Sequence, residues 1–308
     1  LTGTVGSLIS LFDAVLVSGY GSSTPAGWTK PYSDTNIGVY RTGAGSRQRY
    51  IRVDDSATTD SRIHAFETMA SVSDYSTQFT SGLGTPSAGS GYALKKSITA
   101  DAVVRPWVIV ATESAIYTFL EPALTGAGVW ATATTSTSGN GQFFFGDFIS
   151  FRPGDTYNTA IIGPNATTNG SGYLGAASSA ISSAAIGHYL NRSYLGFGAG
   201  GVGFNKGVPG IYYSFSVMGS ASASNPFPDL ITGGIQMAPV EIAEMITSNA
   251  HIIRGRMPGI WASINSLPAT QGDIITGTGI LAGKTLLVVQ VWQTSTNGRL
   301  FIEISNTW

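Results

Sequence analysis

The chain has 308 residues, only 11% of them Asp, Glu, Lys or Arg, and a formal net charge of −1. Soluble domains usually carry roughly 25% charged residues, so this balance argues against a surface built for phosphate backbones, which needs clustered Lys and Arg. No cysteine is present, which excludes disulfides, thiolate metal sites and a cysteine nucleophile.

With 40 glycines and 11% aromatic residues, the composition suits a surface covered by other copies or other proteins. It suits a freely diffusing enzyme less well, since such a surface depends on exposed charge for solubility. The length is ample for one large β domain or two smaller ones. No run of about 18 apolar residues occurs, so no bilayer-spanning helix is expected.

The first predicted element is a helix. Leu8, Leu11, Phe12 and Val15 recur at helical spacing, Ser7 stands where a cap belongs, and Gly19 marks the end. Ile9 and Leu16 widen the apolar face, so the helix is expected in the core or at a subunit seam. Tyr50 to Asp54 alternates as a strand, with Ile51 and Val53 on one face and Arg52 and Asp54 on the other. The stretch from Arg62 to Glu67 alternates likewise and puts His64 on a strand face.

Val103 to Val110 and Ala115 to Leu120 are apolar on both faces, joined by Thr112-Glu113-Ser114 as a hairpin connection. Phe143 to Phe145 and Phe148 to Phe151 follow, separated by Gly146-Asp147. A second helix is a candidate from Pro239 to about Ser248, with a strand reading also open. Thr276 to Ile280 reads as a short strand. Lys284 to Trp292 and Arg299 to Ile304 read as a closing hairpin. Between these lie Gly/Ser-rich stretches, at Ser81 to Gly91, Thr132 to Gly141, Gly163 to Ala185 and Gly196 to Gly207, which neighbouring subunits could order in an assembly. A boundary near residue 225 divides the chain into a helix plus main β-rich part (1–225) and a C-terminal β-rich part (226–308), which could also belong to one domain.

Few motifs point to chemistry. Gly196-Phe197-Gly198-Ala199-Gly200-Gly201 matches a dinucleotide fingerprint by letter, but loop residues follow where a helix must begin. His64, His188 and His251 show no metal-ligand spacing, and there is no nucleophile-elbow sequence. Asp54 and Asp55 are expected to pair with Arg52 or Arg62 and shape a turn. Asp147 and Asp155 flank a short segment, with no spacing that makes them a paired acid site. Of the tryptophans, Trp107 and Trp292 fall in strands and read as core. Trp28 follows Pro25-Ala26-Gly27 and reads as a loop contact residue, and Trp308 closes the chain as an anchor. The sequons at Asn165, Asn169 and Asn191 carry little weight in a chain this rich in Asn, Ser and Thr.

Several stretches together resemble a family of tailed-bacteriophage virion proteins. They are Gly6 to Ile9, Leu11 to Val17, Gly19 to Ser22, Pro25 to Pro31, Asn36 to Arg41 and Tyr50 to Asp55. They continue with Phe66 to Met69, Arg105-Pro106-Trp107, Phe144 to Asp147, Gly187 to Leu190, Arg254 to Gly259 and Gly298 to Glu303. The resemblance implies a structural role in the particle, of the minor tail, neck or head-decoration type, and brings no catalytic residues. The opening at Leu1 rather than Met fits either residues removed from the start or an N-terminal arm reaching into a neighbour.

The expectation is therefore a mainly β protein, sandwich-like, with an N-terminal helix. It would serve as a virion component at the neck, collar or tail, with no cofactor, metal, nucleic acid or membrane. Its partners would be other virion proteins and further copies of itself. Contacts are expected from Tyr20, Trp28, Lys30 and Trp308, and the core or seam from Leu8, Leu11, Phe12 and Val15. The alternatives are a capsid-decorating protein, a receptor- or glycan-binding module of a tail fibre that meets the host surface, and, with least support, a cell-wall-degrading enzyme.

Overall fold

A computed structural model describes residues 1–80, 84–87, 90–123, 141–163, 188–193, 196, 202–203, 234–235, 237–247, 250–263, 271–289 and 299–305. The protein is mainly β, with three antiparallel sheets and one helical segment near the N-terminus.

That segment begins as an α-helix, α1 (Ser7–Phe12), and continues as a π-helix over Asp13–Ser18. It stops at Gly19, whose φ of 100° a side chain would resist. Ser7 is not the cap. Gly6 holds that position, and the Ser7 hydroxyl donates to the Thr2 carbonyl instead. Leu8, Leu11, Phe12, Ile9 and Leu16 are buried and Val15 is half-buried. The π-turn carbonyls are taken up from outside: Ala26 N–H donates to Val15 and Trp28 N–H to Leu16. The chain after the helix is thereby held along it.

The first sheet runs in sequence order through β1 (Thr29–Asp34), β2 (Ile37–Arg41), β3 (Tyr50–Asp54), β4 (Asp60–Phe66) and β5 (Tyr92–Lys95). The edge strand β1 contains Pro31, whose missing N–H is tolerated at an edge, and its register with β2 shifts between Thr29 and Tyr32.

The second sheet has the order β12 (Val202–Gly203), β11 (His188–Leu190), β10 (Thr159–Ile162), β8 (Gln142–Asp147), β7 (Ala115–Leu120) and β6 (Trp107–Ala111). The third has β13 (Ala238–Thr247), β14 (Ala250–Ser263), β17 (Arg299–Glu303), β16 (Thr285–Val289) and β15 (Ile274–Thr276), with β9 (Ile149–Ser150) paired to β14.

The second sheet lies between the other two, as the alternation of its side chains shows. Ile116, Phe143, Phe145 and Ile161 share one cluster with the helix and with Tyr40, Ile51, Val53 and Ile63 of the first sheet. Their neighbours Ala115, Tyr117, Phe144, Ala160 and Ile162 share another with Val240, Ile242, Ile260, Leu300 and Ile302 of the third. A strand covered on both faces reads as continuously apolar, which is why these segments show no polar face in the sequence. One cluster thus joins residues on both sides of position 225.

Several expectations are corrected. Pro239 to Ser248 is not a helix: β13 covers Ala238–Thr247. Val240 and Ile242 point into the core while Pro239 is exposed, a period of two that outweighs the helical start signal. The strand expected from Val103 begins only at Trp107, and Val103 and Val104 are exposed. The strand expected at Thr276 to Ile280 sits earlier, at β15, and a 3-10 turn (Gly279–Leu281) follows it. The outer face of β3 is not left to solvent, since Arg52 and Asp54 are buried alongside Ile51 and Val53. Trp292 lies outside the described residues, and Trp107 is half-buried against the first core cluster.

Candidate assembly surface

The segment from Tyr20 to Pro31 was expected to make contacts, and its aromatic residues part company. Trp28 is only 3% exposed. Its ring meets Phe145 edge-on at 5.9 Å, and Nε1 donates to the Thr112 carbonyl at 2.7 Å. Trp28 does lie in the loop before β1, but the contact reading fails, because Phe145 of β8 supplies a ring to pack on and Thr112 in the β6–β7 connection an acceptor. Tyr20 is 51% exposed and edge-on to Trp107 at 5.0 Å. Lys30 turns inward, with Nζ 2.8 Å from Asp13 Oδ2 and over the Tyr40 ring. Trp308 lies outside the described residues.

The buried polar groups hold the layers together. Asp55 pairs with Lys96, not with an arginine, and both side chains are fully buried. Its carboxylate also accepts from the Ser61 hydroxyl at 2.6 Å and from Leu8 N–H at 2.8 Å. Asp54 does shape a turn, accepting from Ser56 N–H, with Arg52 Nη1 at 3.5 Å.

His64 lies across from Arg52 in the β3–β4 pair, with Nδ1 2.9 Å from Gln78 Nε2. Burial drives its pKa down to about 4, against a raising bond at Ser90 and with a further lowering by Arg52. It stands neutral at pH 7 as a packed strand residue.

Arg254 on β14 is fully buried between two carboxylates, Asp155 Oδ2 at 2.9 Å and Glu244 Oε2 at 2.5 Å. It also donates to the Arg192 carbonyl, and Arg192 in turn pairs with Glu67 just after β4. Residues next to all three sheets thus meet in one network. Burial pushes the Asp155 carboxyl up, but bonds from Arg254, Ser150 and Tyr157 N–H outweigh it and hold it below the usual range. Asp147 is pushed up by burial, opposed by Thr159 and by Arg47 N–H. These two aspartates answer to different partners, each engaged in the clasp between layers. Among the described residues no three His, Asp or Glu side chains gather as metal ligands.

The outer face of the third sheet differs in character. Among the described residues its apolar side chains, Leu286, Val288 and Phe301, pack with Ile235, Met237, Trp261, Ile275 and Leu281. Two hollows open there, of about 370 and 240 Å³, and they share Pro239, Trp261, Ile280 and Leu281. Ile280 stands between them, 96% exposed. Ile149, Phe151 and Ile253 are exposed where β9 joins β14. A lone exposed aliphatic residue needs no explanation, whereas large contiguous apolar patches are in general where proteins meet partners. Sequence reading missed this surface because it took Ile280 as the end of a short strand, whereas it sits in the 3-10 turn Gly279–Leu281. The available signal was the pair of glycines, Gly279 and Gly283, bracketing two large aliphatic residues.

No protein-family model matches the chain, and no curated protein matches it.

Proposed function

We propose that this chain is a structural component of a tailed-phage virion, seated at the neck, collar or tail, which holds an assembly together through many uncharged contacts. The resemblance of its sequence stretches to such proteins supports the reading, as does the small charged share. The observation that carries it is the third sheet, which offers the exposed Ile280 and two hollows, the larger of them lined without a charged residue, to a partner. Repeated weak contacts of this kind give avidity in a symmetric particle without any one being strong. In this reading the partners are other virion proteins and further copies of the chain, and the chain works without catalysis or cofactor. The receptor-binding alternative leaned on an exposed Trp28, and that ring is enclosed.

Immunogold labelling of intact and disrupted particles tests the proposal. Gold at the neck or tail is the expected result. Gold over the head would move the protein to shell decoration, and signal only in disrupted particles would move it inside; both overturn the neck or tail placement. No signal in either, with an antibody that detects the purified chain, would overturn the virion role itself.

A further inference from the structure

We propose that Lys96 and Asp55 join covalently: Lys96 Nζ attacks the Asp55 carboxyl carbon, water leaves, and an amide bond links the two side chains inside the protein. The proposal does not depend on the virion reading. Both side chains are 0% exposed, and Nζ is in direct contact with Oδ1. Asp55 follows β3 and Lys96 follows β5, 41 residues apart in sequence. The backbone fixes this approach from both sides. Asp55 N–H donates to the Asn36 carbonyl, the Asp55 carbonyl accepts from Gly6 N–H, and Lys96 N–H donates to the Thr59 carbonyl. Two groups held in contact in this way react as if each were at very high concentration.

An ion pair withdrawn from water loses the hydration that keeps both groups charged. Burial pulls the Lys96 ammonium below its ordinary value, against the opposing effect of Asp55. One proton passed from Nζ to Oδ1 along the existing hydrogen bond gives a free amine and a carboxylic acid, the forms that react, and a desolvated lysine amine is a nucleophile. The remaining neighbours match the step. Leu8 N–H donates to Oδ2 at 2.8 Å, where negative charge develops as nitrogen adds to the carboxyl carbon. The Ser61 hydroxyl donates at 2.6 Å to Oδ1, the departing oxygen. The Thr4 carbonyl accepts from Nζ at 2.7 Å and orients it. The bond from Nζ to Cγ forms and the bond from Cγ to Oδ1 breaks. Nζ sheds two of the three ammonium protons, and both leave with Oδ1 as water, so no further reactant is needed. A chain without cysteine thereby gains a covalent tie that closes β4 and β5 into a loop.

Intact-mass spectrometry of the purified, folded full chain tests the proposal, with peptide mapping under denaturing conditions to locate any change. The expected result is a chain lighter by one water than its sequence, and a branched peptide that joins the fragments carrying Asp55 and Lys96. Lys96→Arg keeps a cation at the site and should restore the full mass, because a guanidinium stays protonated and does not act as the nucleophile. A wild-type chain that keeps its full mass after prolonged incubation in the folded state would overturn the proposal. So would a loss of water that maps to other residues or persists in Lys96→Arg. The wild-type mass and its peptide map decide the matter by themselves, even where the variant fails to fold. Either result leaves the virion role to the labelling experiment, which reads the particle and not this bond.

Discussion

Asp55 Oδ2 accepts the backbone N–H of Leu8 at 2.8 Å, across 47 residues of sequence. The helix therefore takes its N-terminal cap from the end of β3 and not from its own Ser7. The same carboxylate holds Lys96 and Ser61, and the Asp55 backbone carbonyl accepts from Gly6 N–H. The start of the helix, the first sheet and the segment after β5 are thus tied at one residue.

Asp55→Ala should cost about 3–5 kcal/mol, because Lys96 would stay buried with its charge uncompensated. Lys96→Met removes the other partner and should cost less, since the carboxylate keeps the Leu8 and Ser61 donors. Urea unfolding of both variants checks the order.

Trp28→Ala should destabilise the fold by about 3–5 kcal/mol, the usual cost of deleting a buried large ring. Trp28→Phe keeps most of the packing and loses the bond to Thr112, for about 1 kcal/mol. A Trp28→Ala protein as stable as wild type in denaturant titration would contradict the enclosed position.

Stability should fall as pH drops from about 6.5 towards 4. His64 in the unfolded chain protonates near 6.5, whereas in the folded chain it resists until about 4. Within that window the unfolded state binds the extra proton, so acid favours unfolding. The shift corresponds to about 3 kcal/mol at most. Urea titrations at pH 4.5 and 7.5 should differ in the wild type, and Asn at position 64 should flatten that part of the difference.

Arg254→Met should cost about 3–5 kcal/mol, because Asp155 and Glu244 would lose their shared cation inside the protein. Restoring neutrality with Asp155→Asn and Glu244→Gln in the same chain should recover part of the loss. Thermal unfolding of the single and triple variants, compared as a cycle, reads the coupling.

The helix faces, the β3 and β4 alternation and the hairpin at Thr112 to Ser114 were legible because each is a local pattern: a period, a turn residue, a stop glycine. Phe12 and Leu8 repeat at helical spacing and end up in the core, so replacing Phe12 with Asp would bury an unpaired carboxylate. Where a local pattern was ambiguous, as at Pro239 to Ser248, the choice fell to packing. Glu244 follows Val240 and Ile242 inward in a period of two, and Arg254 on the next strand neutralises it there. The π-turn was equally invisible, since its carbonyls are met by N–H groups of Ala26 and Trp28 that fold back from the following segment.

The sequence by itself determined that the protein is β-rich with an N-terminal helix, and that β7 is apolar on both faces, because side-chain period and composition are properties of neighbouring residues. Only the tertiary structure decided that β7, β8 and β10 form a middle layer, that Trp28 is enclosed and Ile280 exposed, and that Asp55 meets Leu8 and Lys96. Each of these depends on which distant segment arrives to cover a side chain or accept its bond. Burial and pairing are relations between parts of the chain far apart in sequence, so no local pattern records them.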